Sequence, residues 1–262
     1  MLEWLGFVVG IVGLAPTIAV GIDRARFRIP HRMSLNFTSP HGVEIIVTTS
    51  ATGISNVGPA DDESKRALRD LAPSGDLAGV ADICAMLSRA YRGRPWVITP
   101  STRAEYDARR DLILVGGPVH NRYASRMISK DRESDDQIVF DANGRYIRLG
   151  EYELGPDIDL EFENNIPGVE YCIIMLSEVR NHGRNQRVIT IGGLTTYGTH
   201  AGCHFVATDL PKYVQHEKLG KRPNVCILLK ATIVNSQPYD VRPVHYARLQ
   251  QAGTRPSLHS AK

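Results

Sequence analysis

Two glycine-rich turns carry the residues whose types and spacing could bind a ligand. One lies within Arg187–Gly202 (RVITIGGLTTYGTHAG), and the other lies within Asp111–Asn121 (DLILVGGPVHN). In each, an apolar stretch is followed by glycines and then by a predicted helix start. This order favours an anion site, because a helix start offers unpaired N–H groups and the positive end of its dipole. The threonine and tyrosine hydroxyls of the later turn would suit phosphate or ribose.

The candidate ligand-binding residues all follow a predicted strand, and a third turn after the first strand is expected to complete the pocket. They are Thr52, Gly53, Gly116, Gly117, Pro118, Asn121, Gly192, Gly193, Thr196, Tyr197, Gly198 and Thr199. Neither main turn matches a strict dinucleotide or P-loop pattern, so the sequence predicts a nucleotide-like or phosphate-bearing ligand without naming a cofactor. The alternatives are tight strand-to-helix connections for the glycines and a helix cap for Asn121.

Other reactive side chains give weaker indications. His200 and His204 have a spacing that can hold a metal, but no HExxH motif is present, so packing or exposure is preferred and no metal is predicted. No Ser/His/Asp arrangement is apparent. Arg109, Arg110 and Arg122 would attract a phosphate into the cleft, or they would be ordinary surface charges.

Composition sets the broad class. The 262 residues are 42% hydrophobic, enough for a substantial core, and the net charge of +3 is too small to indicate a nucleic-acid partner. The four cysteines are widely spaced, and three lie in or beside apolar runs, which predicts buried reduced thiols and a reducing compartment. They are Cys84, Cys172, Cys203 and Cys226.

The N-terminus predicts a membrane anchor. Trp4–Ile22 is an uncharged run of nineteen residues, close to the roughly twenty that a membrane-spanning helix needs. Arginines follow it at Arg24, Arg26, Arg28 and Arg32. By the positive-inside rule this predicts a single-pass protein of the cell membrane with a cytoplasmic C-terminal body. The alternative is a buried core helix.

The body has the pattern of an α/β domain. Apolar runs predict central strands at Val43–Thr49, Leu112–Val115 and Glu170–Leu176, and the chain ends in two strands that would form an antiparallel pair. A helix capped by Asp76 is expected to run to about Tyr91, with Leu77 on its buried face. Asn143-Gly144 indicates a β-hairpin.

Two further segments have expected boundaries. Phe27–Gly42 is expected to be a linker or an initial strand. Arg180–Arg187 is expected to be a polar turn before the buried strand Val188–Ile191, and the helix after the glycine turn is expected to begin at Thr199. We therefore predict a Rossmann-like, mainly parallel sheet with helices on both faces and a hairpin insertion. Residues 1–34 would be the anchor and basic linker, residues 35–250 the domain, and residues 251–262 a disordered tail.

Three motifs resemble those of a poorly characterised class of bacterial Rossmann-like proteins. They are TG at Thr52-Gly53, GGP-x-x-N ending at Asn121, and G-x-x-x-YGT-x-A from Gly193 to Ala201. The last is also similar to the GG-x-GT turn of the SLOG group, whose members cleave nucleotide N-glycosidic bonds or sense nucleotide-derived signals. Here the spacing to Gly198 is longer and the glutamate that follows in that group is absent. The resemblance therefore implies nucleotide binding more than cleavage.

Three functions remain open from the sequence. The leading hypothesis is a membrane-anchored cytoplasmic protein that senses a nucleotide or nucleotide-derived ligand, with possible homo-oligomers. The second is a nucleoside or nucleotide N-glycosidase-like hydrolase using Glu170, Glu178 or Asp111. The third is a membrane-tethered interaction scaffold whose turns bind nothing.

Overall fold

The protein has an α/β fold built on a seven-stranded sheet. The computed structural model describes residues 19–49, 72–105, 107–118, 121–129, 138–140, 146–155, 168–181 and 184–249. The strands are β1 (Val43–Val47), β2 (Trp96–Pro100), β3 (Asp111–Val115), β4 (Ile138–Phe140), β5 (Ile147–Leu149), β6 (Tyr152–Leu154), β7 (Val169–Asn181), β8 (Arg184–Gly193), β9 (Val225–Val234) and β10 (Gln237–Arg248). A π-helical turn (Arg24–Arg28) continues into α1 (Ile29–Leu35), and the other helices are α2 (Ser74–Ala90), α3 (Arg122–Ser129), α4 (Thr196–Thr208) and α5 (Leu210–His216).

The main sheet has a parallel half and an antiparallel half. Its strand order is β10-β9-β7-β8-β3-β1-β2. The pairings of β1 with β2 and β3, and of β3 with β8, are parallel. The pairings of β7 with β8 and β9, and of β9 with β10, are antiparallel. Five of the seven strands therefore point the same way, and the predicted antiparallel pair at the end of the chain is confirmed.

Both faces of the sheet are covered, which explains the unbroken apolar runs of its central strands. All five residues of β3 are buried, as expected for a strand covered on both sides. One core lies between the sheet and helices α1, α2, α4 and α5. The other lies between the sheet, α3 and the strands β4 and β5. The prediction of helices on both faces is confirmed.

The hairpin insertion forms a small sheet of its own. Strands β4 and β5 pair antiparallel as predicted, and β6 adds a third strand on the other side of β5. The hairpin does not extend the main sheet, because these strands pair only with one another among the described residues. Ile147 and Leu149 are fully buried under the main sheet. The turn at Asn143-Gly144 lies outside the described residues.

Two helix predictions require correction. The segment expected to be a linker or strand contains α1, whose Leu35 is fully buried and whose His31 Nε2 lies 2.9 Å from the Ala207 carbonyl oxygen. Helix α2 begins at Ser74, so Asp76 lies inside its first turn and is not the N-cap. Leu77 is 53% exposed, because the buried face of the helix is formed by Gly75, Asp76, Gly79 and Val80.

The hairpin between β7 and β8 replaces most of the polar turn expected over Arg180–Arg187. Strand β7 continues to Asn181, which pairs with Arg184 at the start of β8. Both strands extend beyond the apolar core, so their polar ends do not mark the end of the sheet. Arg187 is among the largest fully buried side chains.

The cysteines and the N-terminus complete the comparison with the sequence. All four thiols are free; Cys172, Cys203 and Cys226 are buried, as predicted, and Cys84 is half-buried. The anchor predicted over Trp4–Ile22 lies mostly outside the described residues and stays a prediction, as does the tail over 251–262. Among the helices of the described ranges, none combines the length and the apolar character that a membrane crossing needs.

Candidate functional site

The strand order places a crevice between β1 and β3. The chain passes from β1 to its neighbour β2 on one side and then to β3 on the other. In open α/β sheets such a reversal opens a crevice outside the carboxyl ends of the two strands, where ligands bind. Helix α2 follows β1 and packs on one face, whereas α3 follows β3 and packs on the other. We call the edge formed by the carboxyl ends of β1, β3 and β8 the carboxyl rim.

The two main glycine turns lie side by side at the carboxyl rim. A Cβ added to Gly192 would lie 3.1 Å from the Cα of Gly117, and one added to Gly117 would lie 3.3 Å from the carbonyl oxygen of Gly193. Gly117 and Pro118 are half-buried and reach the surface. The turns therefore meet although they are far apart in the sequence.

Gly116 fixes the junction between β1 and β3. Its φ of +108° disfavours any residue with a side chain, and a Cβ there would overlap the hydroxyl of Thr48. Thr48 donates from its backbone N and its Oγ1 to the Val115 carbonyl oxygen, at 2.9 and 3.0 Å. The crevice thus has a rigid floor.

Helix α4 begins earlier than the sequence predicted. Its first residue is Thr196, and the Thr195 side chain accepts a hydrogen bond from the Tyr197 backbone N at 3.1 Å. The predicted start at Thr199 is wrong because this cap forms four residues upstream, at Thr195. The connection from β8 to α4 is therefore only Leu194 and Thr195, shorter than the sequence suggested.

Several N–H groups expected to bind an anion are engaged within the protein. The backbone N of Gly193 donates to Thr199 Oγ1 at 3.1 Å, and that of Leu194 donates to the Tyr171 carbonyl oxygen at 3.0 Å. A Cβ on Gly198 would lie 2.6 Å from the same Tyr171 oxygen. Gly193 and Gly198 thus serve close packing of α4 on the strands. A ligand here would rely on side chains more than on backbone donors.

Asn121 is the cap of α3. Its Oδ1 accepts from the Tyr123 backbone N at 3.0 Å, and its Nδ2 donates to the Val115 carbonyl oxygen at 3.2 Å. The side chain is fully buried. Of the two interpretations of Asn121, the helix cap is the one that its contacts match.

Asp76 lies between the two turns, although we expected it only to cap a helix. Thr196 Oγ1 accepts from the Asp76 backbone N at 2.8 Å and donates to Asp76 Oδ1 at 2.9 Å. The other oxygen, Oδ2, would lie 3.3 Å from a Cβ on Gly116. The Asp76 residue is 3% exposed. The first turns of α2 and α4 therefore meet around one carboxyl group.

Glu170 lies below the first turn of α4. Its Oε1 accepts from Thr195 Oγ1 at 2.8 Å, and its Oε2 has no hydrogen-bond partner although it is buried. A Cβ on Gly198 would lie 2.8 Å from that Oε2. A buried polar atom without a partner is unusual in a native protein and calls for an explanation.

Both carboxyl groups have pKa values raised towards neutral pH. Burial raises the pKa of Asp76 to about 6, although the hydroxyls of Thr196 and Thr199 partly oppose the rise. Burial raises the pKa of Glu170 to about 7, opposed in part by hydrogen bonds from Thr195. A neutral hydroxyl stabilises a carboxylate less than a neighbouring cation would. Desolvation therefore dominates the pKa values of both acids. Each of these two groups can therefore gain or lose a proton near physiological pH.

The sequence contained a signal for each of these acids. Asp76 continues the helical stripe of Val80 and Ile83, and an acid on a buried face is exceptional. Glu170 lies two residues before Cys172 in β7, so both side chains lie on the same face of the strand. Acidic residues at apolar positions of a periodic pattern therefore mark this site better than the glycines do.

The other acids considered for catalysis lie away from the carboxyl rim. Asp111 begins β3 and Glu178 pairs with Arg187 near the amino end of β8, at the opposite edge of the sheet. Arg109 also lies at that opposite edge, next to Asp107, so it does not line the crevice.

The remaining polar side chains near the turns have partners within the fold. Arg122 Nη2 donates to the Ala104 carbonyl oxygen at 2.9 Å. His200 Nε2 and His204 Nδ1 both face Asp82 Oδ2, at 3.5 and 3.2 Å. Thr52 and Gly53 lie outside the described residues, so the third turn stays a prediction.

No protein-family model matches this chain, and no curated protein matches it. The resemblance to bacterial Rossmann-like proteins therefore stays a prediction, and function is argued from the site itself.

Proposed function

We propose that the protein binds a nucleoside- or nucleotide-type ligand at the carboxyl rim. The observation that carries the proposal is the position of Asp76, whose Oδ1 accepts from Thr196 at the start of α4 while its Oδ2 lies beside Gly116 of the first glycine turn. The half-buried Gly117 and Thr196 and the exposed Thr195 give this position an outer surface. With the predicted anchor, such a protein would be a ligand sensor on the cytoplasmic side of the cell membrane.

The chemistry of the rim favours a ligand that donates hydrogen bonds. Carboxyl oxygens accept hydrogen bonds from ribose hydroxyls and from the amino groups of bases. The unpartnered Oε2 of Glu170 supplies an acceptor below the turn. A phosphate would lie farther out, near the threonine hydroxyls of the helix start.

Thermal unfolding of the full chain tests the proposal. A ligand that binds only the folded state raises the Tm by mass action, so nucleosides and nucleotides are titrated in parallel. Asp76→Asn should weaken the binding of an active compound about tenfold or more, because a hydrogen bond to a charged group contributes about 1.5–3 kcal/mol. Asp107→Asn, at the opposite edge of the sheet beside Arg109, is the matched control and should bind normally.

Two outcomes count against the proposal. One is that no nucleoside or nucleotide raises the Tm of the wild-type chain. The other is that Asp76→Asn binds an active compound as tightly as the wild type does.

The near-neutral pKa values of the two acids favour one alternative, an N-glycosidase-like hydrolase. Glu170, with a pKa of about 7, would donate a proton to the leaving base, and Asp76, with a pKa of about 6, would accept one from water. Glu178 and Asp111 are too far from the rim to take part.

Release of free base from nucleosides and nucleotides, followed by chromatography, tests this alternative. The kcat/KM should show a bell-shaped pH profile with its limbs near the two pKa values, and Glu170→Gln should abolish release. Glu178→Gln is the control and should retain activity. Absence of base release from every compound that binds would leave binding as the function.

A further inference from the structure

An arginine inside the opposite edge of the sheet has unused hydrogen-bond donors. Arg187 lies near the amino end of β8 and is 2% exposed. Its Nε donates to the Leu35 carbonyl oxygen at 3.0 Å, but Nη1 and Nη2 have no hydrogen-bond partner. Burial lowers the pKa of the Arg187 guanidinium to about 10, so the group is still charged at neutral pH. A buried cation without a paired anion is costly, which points to a missing partner.

The nearby acids are already engaged. Asp111 Oδ2 accepts from the backbone N of Thr38 and of Ser39, each at 2.7 Å, and Oδ1 accepts from the Arg187 backbone N at 3.0 Å. Its Oδ1 also lies 3.9 Å from Arg184 Nη2. The carboxylate of Asp111 thus serves mainly backbone donors and leaves the Arg187 side chain without a counterion.

Glu178 is likewise shared with other groups. Its Oε1 lies 3.8 Å from Arg222 Nη1, and its Oε2 accepts from Asn185 Nδ2 at 3.4 Å. Although Glu178 pairs with Arg187 in the β7–β8 ladder, it forms no hydrogen bond with the Arg187 guanidinium. One carboxylate on this surface faces several arginines.

These side chains line an open cavity of about 550 Å³, which we call the arginine cavity. Among the described residues, its lining contains four arginines (Arg180, Arg184, Arg187 and Arg222), one glutamate (Glu178) and three neutral polar residues. None of these described lining residues is apolar. The balance of charge is strongly positive, and every neutral member can donate or accept a hydrogen bond.

We infer that the arginine cavity binds a small phosphate-bearing anion, with Arg187 as its buried contact and Arg222 and Arg180 at its mouth. Guanidinium groups bind phosphate oxygens through paired N–H donors, and several converging on one cavity suit an anion with more than one charge. The buried position of Arg187 favours a small molecule over an extended polymer. This site is separate from the carboxyl rim, because Arg187 and Gly193 are about 20 Å apart along β8.

Calorimetric titration of the full chain with inorganic phosphate and with pyrophosphate tests this inference, in a phosphate-free buffer with ionic strength held constant by NaCl. Pyrophosphate should bind more tightly than phosphate. Arg222→Gln and Arg180→Gln, which alter exposed side chains, should each weaken pyrophosphate binding about tenfold. Arg187→Met should abolish it. Arg242→Gln is the control, since Arg242 is exposed on β10 and pairs with Asp240.

The outcomes separate this site from others. Asp76→Asn should bind pyrophosphate normally, so failure of the rim proposal would not affect this one. The inference is overturned if pyrophosphate gives no heat beyond the NaCl control, or if Arg222→Gln and Arg180→Gln both titrate like the wild type. Citrate binding more tightly than pyrophosphate would overturn the assignment to phosphate. These exposed variants remain informative even if Arg187→Met does not fold.

Discussion

The acids buried at the two ends of the parallel strands accept hydrogen bonds from different kinds of donor. At the amino end, Asp111 is fully buried and accepts from three backbone N–H groups. At the carboxyl rim, Asp76 and Glu170 are equally buried, but their side-chain donors are threonine hydroxyls. At the amino end, Nη1 and Nη2 of Arg187 have no hydrogen-bond partner, whereas at the carboxyl rim Oε2 of Glu170 has none.

The difference shows that burial alone does not decide what a charged group does. Three backbone donors occupy both oxygens of Asp111, so this residue is suited to holding the loop before β1 against β3 and β8. Hydroxyls that also have other partners leave an acid poised between its two protonation states. We therefore assign Asp111 to structure and the two rim acids to function, and the same substitution at each end should have opposite effects.

The largest expected effect is the loss of stability in Asp111→Asn. The new amide would direct N–H groups at backbone N–H groups, leaving buried donors without an acceptor, so the free energy of unfolding should fall by about 3–5 kcal/mol. Urea denaturation at neutral pH measures it. Asp107→Asn, at the same edge but in an exposed pair with Arg109, should change stability by less than about 0.5 kcal/mol. An unchanged midpoint for Asp111→Asn would remove the contrast between the two ends.

The second effect has the opposite sign. Asp76→Asn and Glu170→Gln remove acids whose ionisation is opposed by burial, so each should raise the free energy of unfolding by about 3 kcal/mol at about pH 8. Near pH 4, where both acids are protonated in the folded state, the variants should match the wild type. Urea denaturation at the two pH values measures this difference.

The direction of the pH dependence follows from the raised pKa values. Between about pH 4 and about pH 7, the folded protein keeps protons on Asp76 and Glu170 that the unfolded chain has released. The stability of the wild type should therefore fall as pH rises through this range and level off above it. Glu170→Gln should flatten the upper part of the curve, and a wild-type curve that rises across the range would contradict the assignment.

The smallest effect concerns the cap that joins α4 to the rim. Thr195→Ala removes the side-chain acceptor for the Tyr197 backbone N and the donor to Glu170 Oε1. It should cost about 1 kcal/mol of stability and raise the pKa of Glu170 further, as NMR titration of its carboxyl carbon would show. Thr208→Ala, at the other end of α4, is the control. A pKa of Glu170 that does not change would show that the hydroxyl has no influence on it.

The features predicted correctly from the sequence are those that periodicity and chain direction determine. The apolar run of β3 identifies a strand covered on both faces, and parallel strands bring their following turns to one edge. The meeting of Gly117 with Gly193 follows from these two rules. The order of the strands in the antiparallel half does not follow from these rules. Strands β7, β8 and β9 are similarly apolar, and local sequence does not encode which of them are neighbours.

The errors concern charged residues at buried positions. Arg187 looked like part of a polar turn because charge usually marks a surface, and Asp76 looked like a cap because acids favour that position. The start of α4 differs from the prediction because Thr195, Thr196 and Thr199 can each cap a helix, and only the backbone geometry shows which one does. Tertiary packing decided each case.

The rate at which the buried cysteines react can report on local opening of the structure around α4. A Cβ on Gly79 would lie 2.9 Å from Cys203 Sγ, and one on Gly202 would lie 2.5 Å from Cys172 Sγ, so both sulfurs are sealed between α4 and its neighbours. An alkylating reagent can reach them only when those layers separate. Half-buried Cys84 should be alkylated first. The later labelling of Cys172 and Cys203 would then measure how often α4 separates from the sheet.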